Sequence, residues 1–310
     1  MKNHKIANNK DVRDDMPVVI KVVAYITTTF FALACLIPFL LCLSASVTEE
    51  VTLATYGYQL IPKKISLAAY QYILDSGDQV WRAYGVTLIV TATGTLLGLL
   101  VMSLFAYAVT RPSFPWKNQF ALFSYFTMLF QGGMVSAYII NTRLYHLGDT
   151  IWILILNGCV SAYYILLMRT YMSNSIPSEI FESAKMDGAG EIRCYWQFAL
   201  PMSKPTLATI GLFSVVKYWN DWNTGHLYLI KRNDLAPIQL VLKRIENMAE
   251  FLNSAEGQMS QVDYDEMLEA LPTESFKMAL VVMVALPMII FYPFLQRFLV
   301  KGVTVGAVKG

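Results

Sequence analysis

One stretch gathers side chains able to hold a hydroxylated solute: Lys217, Tyr218, Trp219, Asn220, Asp221, Trp222 and Asn223. Sugars present apolar C–H faces and hydroxyl rims, so indole rings and amides suit both halves. Gln131, beside Gly132 and Gly133, is a second candidate of this kind, and Asn157 with Tyr163 and Tyr164 a third. All lie in otherwise apolar runs, where a charged or amide side chain is costly and marks function by default. The same residue types also act as glue between helices, and tryptophans form belts at a membrane surface.

Other chemistries lack their residues. His146 and His226 stand apart, with no His/Asp/Glu set at ligand spacing, so no metal is expected. Cys35, Cys42, Cys159 and Cys194 show neither a disulfide framework nor zinc spacing and read as small buried hydrophobes. No Gly-Lys dipeptide occurs anywhere, which excludes a Walker-A phosphate loop. No nucleophile, base or metal set marks a membrane-embedded enzyme, and no catalytic residue is assigned.

The elements that must position these residues are set by composition. Of 310 residues, 55% are hydrophobic and 15% charged, with a mean hydropathy of +0.45. Soluble domains carry about a quarter charged residues, so the solvent implied here is lipid. The net charge is +2 and no Lys/Arg cluster is dense enough for a nucleic-acid backbone. A span needs roughly 20 apolar residues. Five runs qualify: Val18–Leu43, Tyr84–Val109, Phe120–Ile140, Ile151–Tyr171 and Phe276–Leu299. Leu207–Ile230 is a sixth, whose clean apolar stretch stops at Val216, so it reads as an interrupted helix. Residues 1–17 are polar and basic, and the apolar run behind them is too long for a signal peptide, so it reads as a retained span.

Six crossings put both termini on one side. With the N-terminus in the cytoplasm, that side holds fourteen Lys and Arg and the outside nine, with Lys217 inside a span. The expected organisation is a cytoplasmic segment 1–17, a transmembrane domain 18–300 and a cytoplasmic tail 301–310. External loops fall at about 47–80 and 231–275, and a cytoplasmic loop at about 172–204. The second external loop carries a stripe of Ile238, Val241, Leu242, Ile245, Met248 and Leu252 at helical spacing. Such a stripe packs on its own protein or docks a partner. Gly94 and Gly98 form a small-residue stripe of the GxxxG kind, with no partner specified.

The cytoplasmic loop runs Ile176-Pro177-Ser178-Glu179-Ile180-Phe181-Glu182-Ser183-Ala184-Lys185-Met186-Asp187-Gly188-Ala189-Gly190. Pro177 and the acids Glu179 and Glu182 favour a helix start. Ile180, Phe181 and Ala184 share one face, and Gly188 can end the helix in the left-handed region. A second short helix, Glu191 to Phe198, is expected to stop before Leu200-Pro201. Taken alone, this pair is either a plain connector or an element that sits in another protein's groove.

The spacing Glu182-Ser183-Ala184, three residues, Gly188, nine residues, Phe198, Ala199, Leu200-Pro201 resembles the EAA loop of ABC importer permeases. Ser183 and Phe198 replace the family's Ala and Ile, small for small and apolar for apolar. Ala285-Leu286-Pro287, the run Phe294–Gly302 and Gly306-Ala307-Val308-Lys309-Gly310 resemble the end of the maltose-type carbohydrate permeases and their relatives for larger oligosaccharides. The similarity covers roughly residues 85–310, and the longer external loop leans toward those relatives.

The resemblance implies an all-α membrane protein with six transmembrane helices, the type I ABC importer permease fold, and a cytoplasmic EAA coupling helix. Ile180, Phe181, Glu182, Ser183, Ala184, Asp187, Gly188, Leu200 and Pro201 would couple to an ATPase, and Gly306, Lys309 and Gly310 would reach its dimer interface. Implied partners are a second homologous permease, a cytoplasmic ATPase dimer and an extracytoplasmic solute-binding protein that delivers a carbohydrate. The chain itself would bind no cofactor, with ATP and magnesium held by the ATPase. The rivals are an ABC permease for another solute and a secondary transporter. The latter usually shows repeated halves and buried carboxylates; only Asp221 qualifies, and no repeat is visible.

Overall fold

The structure, a computed structural model, describes residues 17–75, 78–253 and 274–307. Among them every regular element is helical, apart from a single antiparallel bridge between Thr48 and Ile65. The helices are α1 (Val18–Ser46), α2 (Glu50–Tyr56), α3 (Ala68–Asp75), α4 (Asp78–Thr110), α5 (Lys117–Leu129), α6 (Gly133–Leu144), α7 (Ile151–Leu156) and α8 (Ala162–Ser175). They continue as α9 (Ser178–Met186), α10 (Glu191–Met202), α11 (Lys204–Trp219), α12 (Asn223–Tyr228), α13 (Ile238–Asn253) and α14 (Glu274–Ala307).

Three helices are long and apolar enough to cross a bilayer: α1, α4 and the Glu274–Pro293 part of α14. The count reaches five if two bent pairs each form one span, α5 with α6 at 114° and α10 with α11 at 77°. The expected third span, Phe120–Ile140, is therefore not one straight helix. Phe130 leaves the helical region (φ −116°, ψ 115°) and Gly133 takes φ +81°, which turns the chain. The expected fourth span, Ile151–Tyr171, is broken at 157–161, where Gly158 adopts φ +76°. The expected interruption of the fifth span is present: α11 ends at Trp219, and Asp221 accepts the Thr224 N–H (3.0 Å) and hydroxyl (2.6 Å) as α12 begins. The second cytoplasmic helix does not stop before Leu200-Pro201. It runs to Met202, because a π turn at Tyr195–Ala199 restarts the helix and puts Pro201 in the first turn of its last piece, where a missing N–H costs little.

The chain divides into two compact units. Of the described residues, the first holds 17–72 and 274–282. In it Glu50 caps the start of α14, accepting the backbone N–H groups of Glu274 and Ser275, each at 3.0 Å, and the Ser275 hydroxyl at 2.7 Å. A carboxylate there also meets the positive end of the helix dipole. Most of α1 is exposed, with only Ser44, Ala45 and Ser46 buried.

The second unit is built around α4, which packs against α5, α7, α8, α11 and α13. Its buried residues Ala83, Thr87, Val90, Gly94, Gly98 and Met102 recur every three or four positions, so they form one face. The small-residue stripe is spent within the chain: Gly94 lies against the Tyr218 ring and Gly98 against the Cys159 carbonyl. The α13 stripe also packs on its own protein, with Ile238 and Val241 buried, Leu242 and Ile245 half-buried, and the Ile238 N–H donating to Thr87 Oγ1 at 2.9 Å. The side chains of Met248 and Leu252 lie outside the described residues. Cys159 and Cys194 are buried as expected, Cys42 is half-buried and Cys35 is exposed.

One turn predicts a pH response. Asp149, at φ +55°, accepts the N–H groups of Ile230 (2.8 Å), Lys231 (2.7 Å) and Arg232 (3.1 Å) on one carboxylate oxygen. The Lys231 N–H above all holds its carboxyl below the usual range, against a smaller desolvation effect. A depressed pKa gives stability that is complete above the unfolded value of about 3.9 and lost as pH falls through the lower folded value. Protection of the 230–232 amides from hydrogen exchange should therefore hold from pH 8 to pH 5 and fade below pH 4. Asp149→Asn should show several-fold faster tryptic cleavage after Lys231 and Arg232 at neutral pH. Wild-type cleavage rates in that variant would refute the role of the charge.

Candidate functional site

Two features carry function candidates: the helical elbow of α9 and α10, and the place where two broken helices meet. Helix α9 starts after Pro177 and ends in a left-handed glycine, Gly188 at φ +79°. The Ala189 N–H bonds the Ala184 carbonyl (2.9 Å) and the Gly188 N–H the Lys185 carbonyl (3.0 Å), the paired pattern that closes a helix on glycine. The elbow is held to its own protein by Glu191. That carboxylate accepts from the Tyr107 hydroxyl (2.7 Å) and the Ser113 hydroxyl (3.1 Å), and pairs with Lys185 at 2.6 Å. Partial burial pushes the Glu191 carboxyl up, but these three donors outweigh it and hold it below the ordinary range. The Arg111 guanidinium lies over the Phe181 ring at 3.8 Å and over Tyr107 at 4.6 Å.

This geometry divides the coupling candidates. Phe181 and Ala184 are buried in a core with Tyr107, Met172, Cys194 and Tyr195, and Ile180 is half-buried. The apolar face expected to seat in a partner is thus turned into the chain itself, because an apolar stripe beside an aromatic core gains most by packing there. What the elbow offers outward is Glu182, Ser183, Asp187 and Gly188, with two apolar tips, Met186 (89% exposed) and Ile192 (78% exposed). Leu200 is half-buried and Pro201 exposed, at the far end of α10. Gly306 lies in α14, while Lys309 and Gly310 lie outside the described residues.

The second feature joins the break at 157–161 to the end of α11 and the break behind it. The Lys217 ammonium donates to the Gly158 carbonyl at 2.7 Å, the Tyr218 hydroxyl to the Ile155 carbonyl at 2.6 Å, and the Asn157 amide to Thr224 Oγ1 at 2.8 Å. Gly158 is required twice over: its φ is positive, and a Cβ would strike the Lys217 ammonium. These bonds satisfy polar groups that two interrupted helices would leave bare in lipid. Several substrate-path candidates are therefore used in construction. Asn157 and Asp221 point at Thr224, and Trp219 is buried, donating to the Val284 carbonyl at 3.1 Å and packing near Tyr84. Exposed side chains remain at Lys217, Asn220, Trp222 and Asn223, and at Tyr163 on α8; Gln131 is exposed at the α5–α6 bend, apart from them. Sequence reasoning missed Glu191, Tyr107, Arg111, Thr224 and Gly158. An acid directly after Gly190 was a visible signal for Glu191, whereas the other partners are distant in sequence.

The family model for the inner membrane component of binding-protein-dependent transport systems matches residues 89–228. The polygalacturonan/rhamnogalacturonan transport system permease protein YtcP of Bacillus subtilis is 35% identical over 90% of this chain and 94% of its own. Protein LplC of the same organism is 35% identical over 89% of this chain and 90% of its own. Among solved structures, a bacterial ABC transporter involved in the import of the acidic polysaccharide alginate has a chain that superposes with a TM-score of 0.78. That chain is 27% identical, the match covering 94% of this chain and 99% of that one.

Proposed function

The chain belongs to the family of inner membrane components of binding-protein-dependent transport systems, and from that premise we propose that it is the permease subunit of an ABC importer for an oligosaccharide. It forms half of the translocation path, opposite a second, homologous permease. Six crossings place both termini in the cytoplasm, with the pieces α7 and α8 counted as one span and α11 with α12 as another. A dimer of separate ATPase subunits binds ATP and magnesium, and an external binding protein delivers the sugar. The relatives' transport of polygalacturonan, rhamnogalacturonan and alginate supports a carbohydrate cargo.

The observation that carries the coupling part is the elbow. A helix closed on a left-handed glycine, tied to α4 through Tyr107 and Glu191, presents Met186 and Ile192, which none of the described residues covers. Large apolar tips outside the bilayer suit a docking cleft in another subunit. ATP binding would move that cleft, and the Glu191 bonds would pass the displacement to α4, around which the second unit is packed.

Co-purification in mild detergent from the native gene neighbourhood should bring down a second permease and a subunit with a Walker-A loop. Uptake of labelled oligosaccharide into vesicles should need both, together with the binding protein and ATP. A homogeneous preparation that transports alone, driven by an ion gradient, would overturn the reading in favour of a secondary transporter.

A further inference from the structure

Lys217 is a cation where a neutral-sugar path has no need of one. It lies thirteen residues into α11 from Lys204, roughly 20 Å at about 1.5 Å per residue, so about two-thirds of the way across a core of about 30 Å. A charge at that depth is costly, is retained for function as a rule, and faces a water-filled or protein-lined space. Its ammonium has three donors. One bonds the Gly158 carbonyl, which pins the group at the break of a neighbouring helix. No carboxylate of the described residues forms an ion pair with it; Asp221, one turn on, is turned to Thr224.

The surroundings supply the rest of a sugar site. Phe213, Lys217 and Asn220 follow at four and three residues, so they stand on one face of α11. Lys217 and Asn220 are exposed and Phe213 is 46% exposed. Tyr164 of α8 stacks on Phe213 with rings 7° from parallel, and its neighbour Tyr163 is 58% exposed. Aromatic rings fit the C–H faces of a sugar; the Asn220 amide donates to the Val216 carbonyl (2.9 Å) and accepts from the Gln239 amide (3.1 Å), which leaves its second N–H for a hydroxyl. An ammonium without an acidic partner fits a carboxylate, and charge-assisted bonds of that kind are the strong ones.

We propose that Lys217 binds the carboxylate of the cargo as it passes, and that the cargo is therefore an oligosaccharide bearing uronic acid residues. The proposal rests on the carbohydrate-importer reading and narrows it. The test uses the whole transporter with its binding protein in vesicles and follows uptake of uronate trimers and of the same trimers as methyl esters. Lys217→Gln keeps an N–H for the Gly158 carbonyl and removes the charge, so folded yield should match wild type. Uptake of the uronate trimers should fall about tenfold, chiefly through a raised KM, and by several-fold more than uptake of the methyl esters, so that the preference for uronate is lost. Lys217→Arg should retain most uptake. Equal uronate uptake by wild type and Lys217→Gln would overturn the assignment and leave the importer reading standing. So would a wild type that carries neutral oligosaccharides but no uronate. A wild type that carries no oligosaccharide would instead remove the importer reading, and this inference with it.

Discussion

Gly98→Leu should yield little folded protein, and Gly98→Ala a protein that loses its structure at clearly lower temperature than wild type. A Cβ at Gly98 would stand 2.5 Å from the Cys159 carbonyl oxygen, which is backbone and cannot swing aside. Cys159 lies in the break between α7 and α8, beside the Gly158 carbonyl that receives Lys217. Pushing this loop away from α4 would strain the bonds that close the break. Overpacking typically costs about 1–3 kcal/mol, and leucine adds a whole side chain to that. Gly94→Ala should behave like Gly98→Ala, because its Cβ would enter the Tyr218 ring, whose hydroxyl is already held by the Ile155 carbonyl. Gly85 is the internal control: it is in the same helix with nothing within 4 Å of a Cβ. Gly85→Ala should be neutral, or stabilising by about 0.5–1 kcal/mol, through helix entropy alone. Size-exclusion profiles after graded heating in detergent read all four variants. A Gly98→Leu protein as heat-resistant as wild type would show that the helices do not approach this closely.

The contrast among these glycines shows what a sequence does and does not announce. Gly94 and Gly98 at four-residue spacing signalled a close approach. The partner was out of reach, because the residues they meet, Tyr218 and Cys159, are more than 60 positions away and lie in two different segments. The apolar runs were legible because lipid demands about 20 of them in a row. Their breaks were less so. The polar sequence after Val216 advertised the one behind Trp219. Asn157-Gly158 lay within a run whose composition satisfied every length rule, and only the positive φ of Gly158 reveals the turn. The elbow was legible by spacing, down to the glycine that closes α9. Its facing was not: Ile180, Phe181 and Ala184 form an apolar stripe in either case, and whether it turns inward depends on Tyr107, Arg111 and Tyr195, which other segments supply.

That facing separates docking from anchoring. Glu182→Arg and Met186→Asp should leave membrane level and heat resistance unchanged, because both side chains are exposed and neither has a hydrogen-bond or ion-pair partner among the described residues. Sugar uptake should fall about thirtyfold or more, the size of a central contact worth about 2 kcal/mol. ATP hydrolysis should persist but cease to respond to the loaded binding protein. Phe181→Ala should lose folded protein first, since emptying a buried aromatic site costs about 3–5 kcal/mol. Gly188→Pro should resemble the docking variants, only more strongly. Proline fixes φ near −65° where the turn needs +79°, so the elbow opens while the spans remain. Glu191→Gln should fall between the two classes. It keeps one acceptor oxygen where Tyr107 and Ser113 use two, and it loses the ion pair with Lys185, so the elbow would follow the ATPase while passing less of its displacement to α4. Hydrolysis rate and uptake rate, measured together in one vesicle preparation, order these variants. Unchanged uptake in Glu182→Arg, Met186→Asp and Gly188→Pro would mean that the ATPase grips some other surface. Loss of folded protein in Met186→Asp would mean that this side chain is part of the core, and the outward face would have to be redrawn.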